Sequence, residues 1–281
     1  MKLEALMNIR RPAVAGRFYP DDKHELVNYI KELLRDCKKS PELSVEKLIG
    51  GVVPHAGYMF SGIHAASFFY LLQDLSPPDV VVILHPSHSG VGHALCVDGH
   101  DAWQTPLGES PVMHQLANEL ELPLSTIEQR NEHSAEVMVP FLQQVFHPQI
   151  PILPISFSHQ PGDAKELGEK LGEISLAGTT DMLVIASSDF SHFLTPEEGF
   201  RADQLVVNAI LENNAALVVD KVRKQHISVC GFGPIATLMY YAQKISKGRY
   251  QPHILSRGHS GEIIASEEVV DYVSFGFFDS P

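Results

Sequence analysis

The chain has 281 residues, 44% of them hydrophobic and 20% charged, which is enough to bury a full core as one large domain or two small ones, and with no internal repeat or linker one domain over residues 1–281 is expected. Its formal net charge of -13 repels a nucleic-acid backbone or an anionic membrane surface, and the densest basic run, Lys38-Lys39, is too short to overcome that field. No apolar stretch approaches the ~18 residues of a membrane span, the first dozen residues carry charges where a signal peptide needs apolar ones, and Cys37, Cys96 and Cys230 are too few and too far apart for a disulfide framework, so a cytoplasmic protein is expected.

In chain order, Arg11 to Pro20 reads as an extended, proline-bounded segment, and Asp21 or Asp22 caps a helix to about Cys37 whose buried face is Leu26, Ile30, Leu33 and Leu34. Lys38 to Ser44 reads as a loop. The apolar run Ile49 to Val53 stops at Pro54, which cannot donate a ladder hydrogen bond, and the next side chain is the imidazole of His55. Ala56 and Gly57 leave the backbone beside it uncluttered. A helix is predicted from Ser61 to Gln73, with Ile63, Ala66, Ser67 and Tyr70 on one side. Val80 to Leu84 is apolar without alternation, the pattern of a strand buried on both faces, so the three elements read as a βαβ unit. His88 follows that strand at once.

The middle of the chain predicts a short strand near Ala94 to Val97, a turn at Trp103 to Gly108, and helices over Pro111 to Leu120 and Glu132 to Phe146. Ile150 to Phe157 contains Pro151 and Pro154, which places that strand at an edge or a bulge. A helix from Asp163 to Ile174 leads to a buried strand, Met182 to Ala186, followed by Ser187-Ser188-Asp189-Phe190-Ser191-His192. Helices are expected at Glu197 to Leu211 and Ala215 to Lys224, and Pro234 suits the first turn of another that runs to Lys244. Tyr250 to Ser256 and Val269 to Phe278 read as a closing antiparallel pair. The fold expected is α/β, one domain with a central twisted, mostly parallel mixed sheet flanked by helices.

Three buried strands thus end in ionisable residues: His55, His88, and Asp189 with His192. Ligands in open α/β sheets sit at strand carboxyl ends. Cys230 stands at a helix start, where unsatisfied amides and the helix dipole favour a thiolate. Two imidazoles and a thiolate suit zinc or a transition metal with positions left open. Blander roles exist for each. A strand-end histidine can hydrogen-bond a carbonyl, His88 can be a solvated loop residue, and Cys230 can be a small buried hydrophobe. Asp189 and His192 can cap the following helix. Glu132, His133 and Glu136 can form an exposed ion pair on one helix.

Taken in order, Ala13-Val14-Ala15-Gly16-Arg17-Phe18-Tyr19-Pro20, Pro54-His55-Ala56-Gly57-Tyr58, Pro86-Ser87-His88, Glu132-His133-Ser134-Ala135-Glu136, Ser187 to His192 and Cys230-Gly231-Phe232-Gly233-Pro234-Ile235 resemble the motif series of the Memo family. That family is similar in fold to the class III extradiol ring-cleavage dioxygenases, which are non-haem iron enzymes. The resemblance implies His55, His88 and Cys230 as metal ligands, with cysteine where the dioxygenases use glutamate. It implies His192 as the catalytic histidine and Asp189 as a further pocket residue. It also implies neighbours among radical enzymes and small companion proteins encoded in the same gene cluster. The chain departs from the pattern at His85, where glycine is usual, and the added imidazole is expected at the pocket mouth.

Two functions follow as expectations. The first is a metal-dependent oxidoreductase of dioxygenase type, with Fe(II) as the ion and Cu or Zn as alternatives. In it, His192 acts as general acid/base oriented by Asp189, and His133, Glu136, Tyr58 and Ser87 contact a small substrate. The second is a non-catalytic module that binds a peptide or partner in the same pocket, with a structural metal or none. Serine hydrolysis through Ser188 or Ser191 is disfavoured, because base and nucleophile share one short turn and no Gly-x-Ser-x-Gly elbow exists.

Overall fold

The computed structural model describes residues 7–37, 47–146, 150–158 and 163–280; the loop expected over Lys38 to Ser44 lies outside them. The first half of the chain forms β1 (Ile9–Arg10), α1 (Lys23–Arg35), β2 (Leu48–Val53), α2 (Tyr58–Leu72), β3 (Val80–Pro86), β4 (Leu95–Asp98), β5 (Ala102–Thr105), β6 (Gly108–Pro111), α3 (His114–Leu120) and β7 (Leu124–Ser125). The second half forms α4 (Val139–Val145), β8 (Ile152–Phe157), α5 (Ala164–Leu176), β9 (Met182–Ser187), β10 (His192–Leu194), α6 (Pro196–Leu211), α7 (Ala215–Gln225), α8 (Phe232–Ile245), β11 (Tyr250–His259) and β12 (Val269–Asp279).

Apolar runs without alternation dictate the centre of the sheet. β2, β9, β3 and β8 lie side by side in that order and all parallel, with Val53 opposite Ser187 and Leu84 opposite Ala186. Every residue of β3, β8 and β9 is buried, and each such Val, Leu or Ile contributes roughly 1.5–3 kcal/mol of burial. Antiparallel strands finish the sheet. β12 pairs with β2, β10 and β11 on one side, while β4 and then β7 extend it on the other. A separate small sheet has the order β1-β5-β6. The mixed, mostly parallel α/β architecture is as expected.

Local chemistry explains several boundaries. Asp22 accepts from the amides of His24 and Glu25 and starts α1, which buries Leu26, Ile30 and Leu34. Thr195 and Glu198 form a capping box at α6. In β2, a Cβ on Gly51 would meet the Phe68 ring at 2.3 Å, so glycine is what lets α2 lie close on the sheet.

The βαβ reading holds: β2 and β3 are parallel and joined by α2, with β9 between them in the sheet. Four expectations need correction. Helix α2 begins three residues earlier than Ser61 and is buried nearly all round. Its most buried side chains include Phe68, Phe69 and Leu72, whereas Ile63, Ser67 and Tyr70 are only half-buried, because the helix is enclosed on several sides. Trp103 belongs to the β5–β6 hairpin rather than to a turn. β8 is interior despite its prolines: Pro154 falls between the last β4 pairing, at Ile155, and the bridge from Val112 to Ile152, so its missing N–H breaks no ladder. Residues 132–135 are not helical; a 3-10 turn at Glu136–Met138 precedes α4, which starts where Pro140 can sit in the first turn.

Candidate metal centre

Parallel neighbours release their carboxyl ends at one edge. β2, β9 and β3 therefore deliver His55, Asp189 and His88 together, with the β9 end in the middle. Cys230 arrives from the other direction, immediately before α8. Its backbone amide donates to Asp189 O (3.3 Å), and the Gly231 amide donates to Ser188 Oγ (2.9 Å), which pins the start of α8 against the end of β9. The Asp189 amide in turn donates to Cys230 Sγ at 3.1 Å.

His55, His88 and His133 each offer a ring nitrogen, and these atoms lie within 4.8 Å of one another. Cys230 joins through His55, its Sγ 3.2 Å from Nε2. The rings of His88 and His133 stack at 4.6 Å between centroids, and His55 meets both edge-on. Partners on the far side hold the rings in place. Ser187 Oγ, 2.6 Å away, occupies Nδ1 of His55, and Glu132 Oε1 lies 2.9 Å from Nδ1 of His88 and 3.4 Å from Nδ1 of His133. Each Nε2 is thereby left for another partner.

The electrostatics follow from this crowding. Burial, then the neighbouring His133 and His88, hold His55 well below the ordinary imidazole range, so it is neutral and able to ligate. Burial lowers His88 too, but the Glu132 carboxylate more than offsets it and the net shift is upward. Burial likewise opposes ionisation of Glu132, yet its hydrogen bond to His88 keeps the carboxyl well below its usual range. Burial, followed by the Asp189 carboxylate, pushes the Cys230 thiol up. That reverses the thiolate expected from the helix start: desolvation outweighs the amides and dipole there, and an ion is what would draw the proton off.

A cavity of about 520 Å³ adjoins the cluster, and Phe18, Phe60, Tyr272, His133, Asp189 and His192 are among the residues lining it. Asp189 is buried and pushed up to about 6 by desolvation, although the His55 and Ala56 amides donate to it. His192 is half-buried on β10. Its Nδ1 donates to Ser228 O at 3.0 Å and its amide to Ser228 Oγ, so Ser228 rather than Asp189 orients the ring. Neither residue caps α6.

Other expected contacts are placed elsewhere. Glu136 is fully buried, and its carboxylate accepts from Arg10, Tyr19 and the amides of Ala13 and Val14, so it anchors the N-terminal segment and is not an exposed partner of His133. Tyr58 is a core residue whose hydroxyl donates to Val137 O. Ser87 is buried beside Ser89. His85 is not at a pocket mouth: it is wholly buried on β3, 2.9 Å from Ser134 Oγ, and burial lowers it to about 4. Ser188 donates to Asp189 O, and Ser191 turns to Asp203, which removes both as nucleophiles for His192.

Sequence reasoning gave Glu132 only a place in an exposed ion pair, and it did not single out Ser187 or Ser228, nor His133 as a member of the imidazole cluster. The available signal was that Glu132 and His133 are adjacent in one motif, and that Ser187 follows the last residue of a buried strand.

The family description "Memo-like protein" matches residues 10–275. A MEMO1 family protein of Pyrobaculum aerophilum is 35% identical over 284 residues, covering 97% of this chain and 100% of that protein. One from Thermotoga petrophila is 36% identical over 280 residues, covering 94% and 98%. The crystal structure of an uncharacterized protein from Escherichia coli K12 superposes with a TM-score of 0.52 at 13% identity, covering 81% of this chain and 99% of that one, a likeness of fold alone. With its motif series in order and matching relatives along nearly all of its length, the chain belongs to the Memo family.

Proposed function

We propose that the protein is a metal-binding oxidoreductase of dioxygenase type, acting on a small substrate held in the cavity beside His133. The observation that carries this reading is the juxtaposition of His55, His88 and His133 with Cys230 Sγ against His55. The donor set fits an ion: Nδ1 of both His55 and His88 is already engaged, and a sulfur and two Nε2 atoms remain. On this reading His55, His88 and Cys230 are the ligands. Fe(II) is the ion proposed, with Cu or Zn as alternatives that a sulfur ligand also suits. Bound there, iron would supply the one-electron chemistry with O2 that no side chain offers.

The chain's own residues do the rest. Glu132 fixes His88 and His133. His133 faces the cavity and holds the substrate. His192, with Nδ1 committed to Ser228, presents Nε2 to hold or move a proton. Phe18, Phe60 and Tyr272 give the cavity an apolar wall that excludes water. No helix among the described residues is long and apolar enough to cross a membrane, and a reducing cytoplasm would keep Cys230 free to ligate.

A second reading rests on the cavity lip, where Ile264 is 55% exposed; an apolar rim suits a peptide or partner protein. One experiment separates the two. The protein is loaded anaerobically with Fe(II) and oxygen uptake is followed across a catechol panel. Uptake that His192→Ala abolishes while iron stays bound supports the enzyme. Failure to retain Fe(II), Cu(I) or Zn(II), with stability unchanged by chelators, overturns it in favour of the binding module.

A further inference from the structure

A second group of ligating side chains stands apart from the centre just described, where the chain enters β4. His93, Cys96 and Glu128 each offer one ligand atom, and all three lie within 4.8 Å of one another. They come from separate places: His93 precedes β4, Cys96 is within it, and Glu128 follows β7. Glu128 is 2% exposed. Its Oε1 accepts from the His93 amide at 2.7 Å and lies 3.1 Å from that ring's Nδ1, while its Oε2 is buried with no hydrogen bond of ordinary geometry among the described residues, although the Ser125 hydroxyl and the Cys96 thiol are close enough to act on the carboxylate. A buried carboxylate oxygen without a well-formed hydrogen bond is costly, and a cation is a natural partner for it. Cys96 is fully buried with Sγ 3.1 Å from Ser156 Oγ, the residue opposite it in the sheet, so the sulfur is held in place. The His93 side chain is 54% exposed, which leaves the cluster open to solvent on one side.

We propose that His93, Cys96 and Glu128 form a second metal site, for a zinc-class divalent cation, with three protein ligands and a fourth position facing water. One nitrogen, one sulfur and one carboxylate oxygen suit a borderline ion that accepts all three. Calcium and magnesium, which want oxygen donors alone, do not fit. Binding would release the Cys96 thiol proton to solvent as the sulfur–metal bond forms. The open side supplies the entry path. The site does not depend on the function proposed for the first centre, since it shares no residue with it.

The test counts metal on the full-length protein. Zn(II) is titrated against a chromophoric chelator, and Co(II) is used as a spectroscopic substitute. The first centre is disabled by His88→Ala with Cys230→Ser, and folding is checked by circular dichroism. One equivalent of Zn(II) should remain, and Co(II) should show a thiolate charge-transfer band in the near ultraviolet. In that background Cys96→Ser should abolish the band, and His93→Ala, at an exposed ring, should weaken Zn(II) at least tenfold. If the background does not fold, His93→Ala alone is compared with wild type, where it should bind one equivalent fewer. The inference is overturned if the background binds no ion, or if neither Cys96→Ser nor His93→Ala changes uptake.

Discussion

Cys230 Sγ lies 3.2 Å from His55 Nε2, although the two residues are 175 positions apart. Ligands on a tetrahedral ion with bonds of about 2.0 and 2.3 Å stand roughly 3.5 Å apart, so the pair is already close to the spacing that a shared ion imposes. Cys230→Ser and His55→Ala are each expected to lose bound metal, while His133→Ala keeps it and loses oxygen uptake. Anaerobic metal analysis of the three variants beside wild type checks this. Equal metal loss in all three would instead make His133 a ligand.

Glu132 is the shared support of the centre. It holds His88 through Nδ1 and through its amide, and its Oε1 also accepts from the amides of His133 and Ser134. Carboxylates behind ligating histidines fix ring orientation, and their loss typically costs about 10–100-fold in metal affinity. Glu132→Gln is expected to fall in that range with the fold intact. A competition titration with Fe(II) or Zn(II) measures it; an unchanged affinity would show that the stacked rings hold their orientation without the charge.

The architecture was legible in the sequence because unalternating apolar runs such as Val80 to Leu84 have few other fates, and because Pro54 and the strand-end histidines mark where strands stop. What could not be read was pairing across distance. Pro154 suggested an edge, since the sequence does not show that the β4 pairing with β8 ends at Ile155, one residue short of it. His133 and Glu136 looked like neighbours on an exposed helix, whereas Arg10, more than 120 residues away, takes Glu136 into the core and leaves His133 with the other imidazoles. Cys230 does stand at the start of α8, but its thiol is pushed up rather than ionised, because burial cannot be read from a helix-start pattern.

The Arg10–Glu136 pair is the principal tie of the N-terminal segment. Both side chains are buried, at 2.7 Å, and Arg10 also donates to Gln129 O and Glu132 O and covers the Trp103 ring at 4.0 Å. Removing one partner leaves an uncompensated buried charge, so Arg10→Ala or Glu136→Ala should each destabilise by roughly 3–5 kcal/mol. The double variant should cost less than the sum, because neither charge is then left alone. Urea unfolding of the three variants checks the pattern.

Asp203 gives the protein a stability that falls on going from acid to neutral pH. Burial, then the nearby Asp271 carboxyl, push it up to about 7, against the hydrogen bonds from Ser191. The unfolded side chain ionises near 4. Between those values the native state holds a proton that the unfolded state has released, so this group makes stability fall as pH rises from about 4 to 7. Below that window both forms are protonated and the effect vanishes. Asp203→Asn should flatten the slope and raise stability at pH 7 by on the order of 1–3 kcal/mol. Unfolding midpoints at pH 5 and pH 7.5 test it, and a slope that persists in the variant would assign the effect to another group.

Gly231 couples backbone packing to the centre. A Cβ there would stand 2.1 Å from Ser187 O and 2.6 Å from Ser188 Cβ, and neither the strand end nor the start of α8 has a flexible side chain to give way. Overpacking of this kind typically costs 1–3 kcal/mol. The displaced group matters more than the energy, because Ser187 Oγ is what holds Nδ1 of His55 and the Gly231 amide is what grips Ser188. Gly231→Ala is therefore expected to lower metal affinity as well as stability, although Gly231 itself supplies no donor atom. A pure packing role predicts a lower unfolding midpoint with unchanged affinity in the fraction that is folded. Measuring both on the same preparation decides whether the α8 start positions Cys230 and His55 or only fills space beside them.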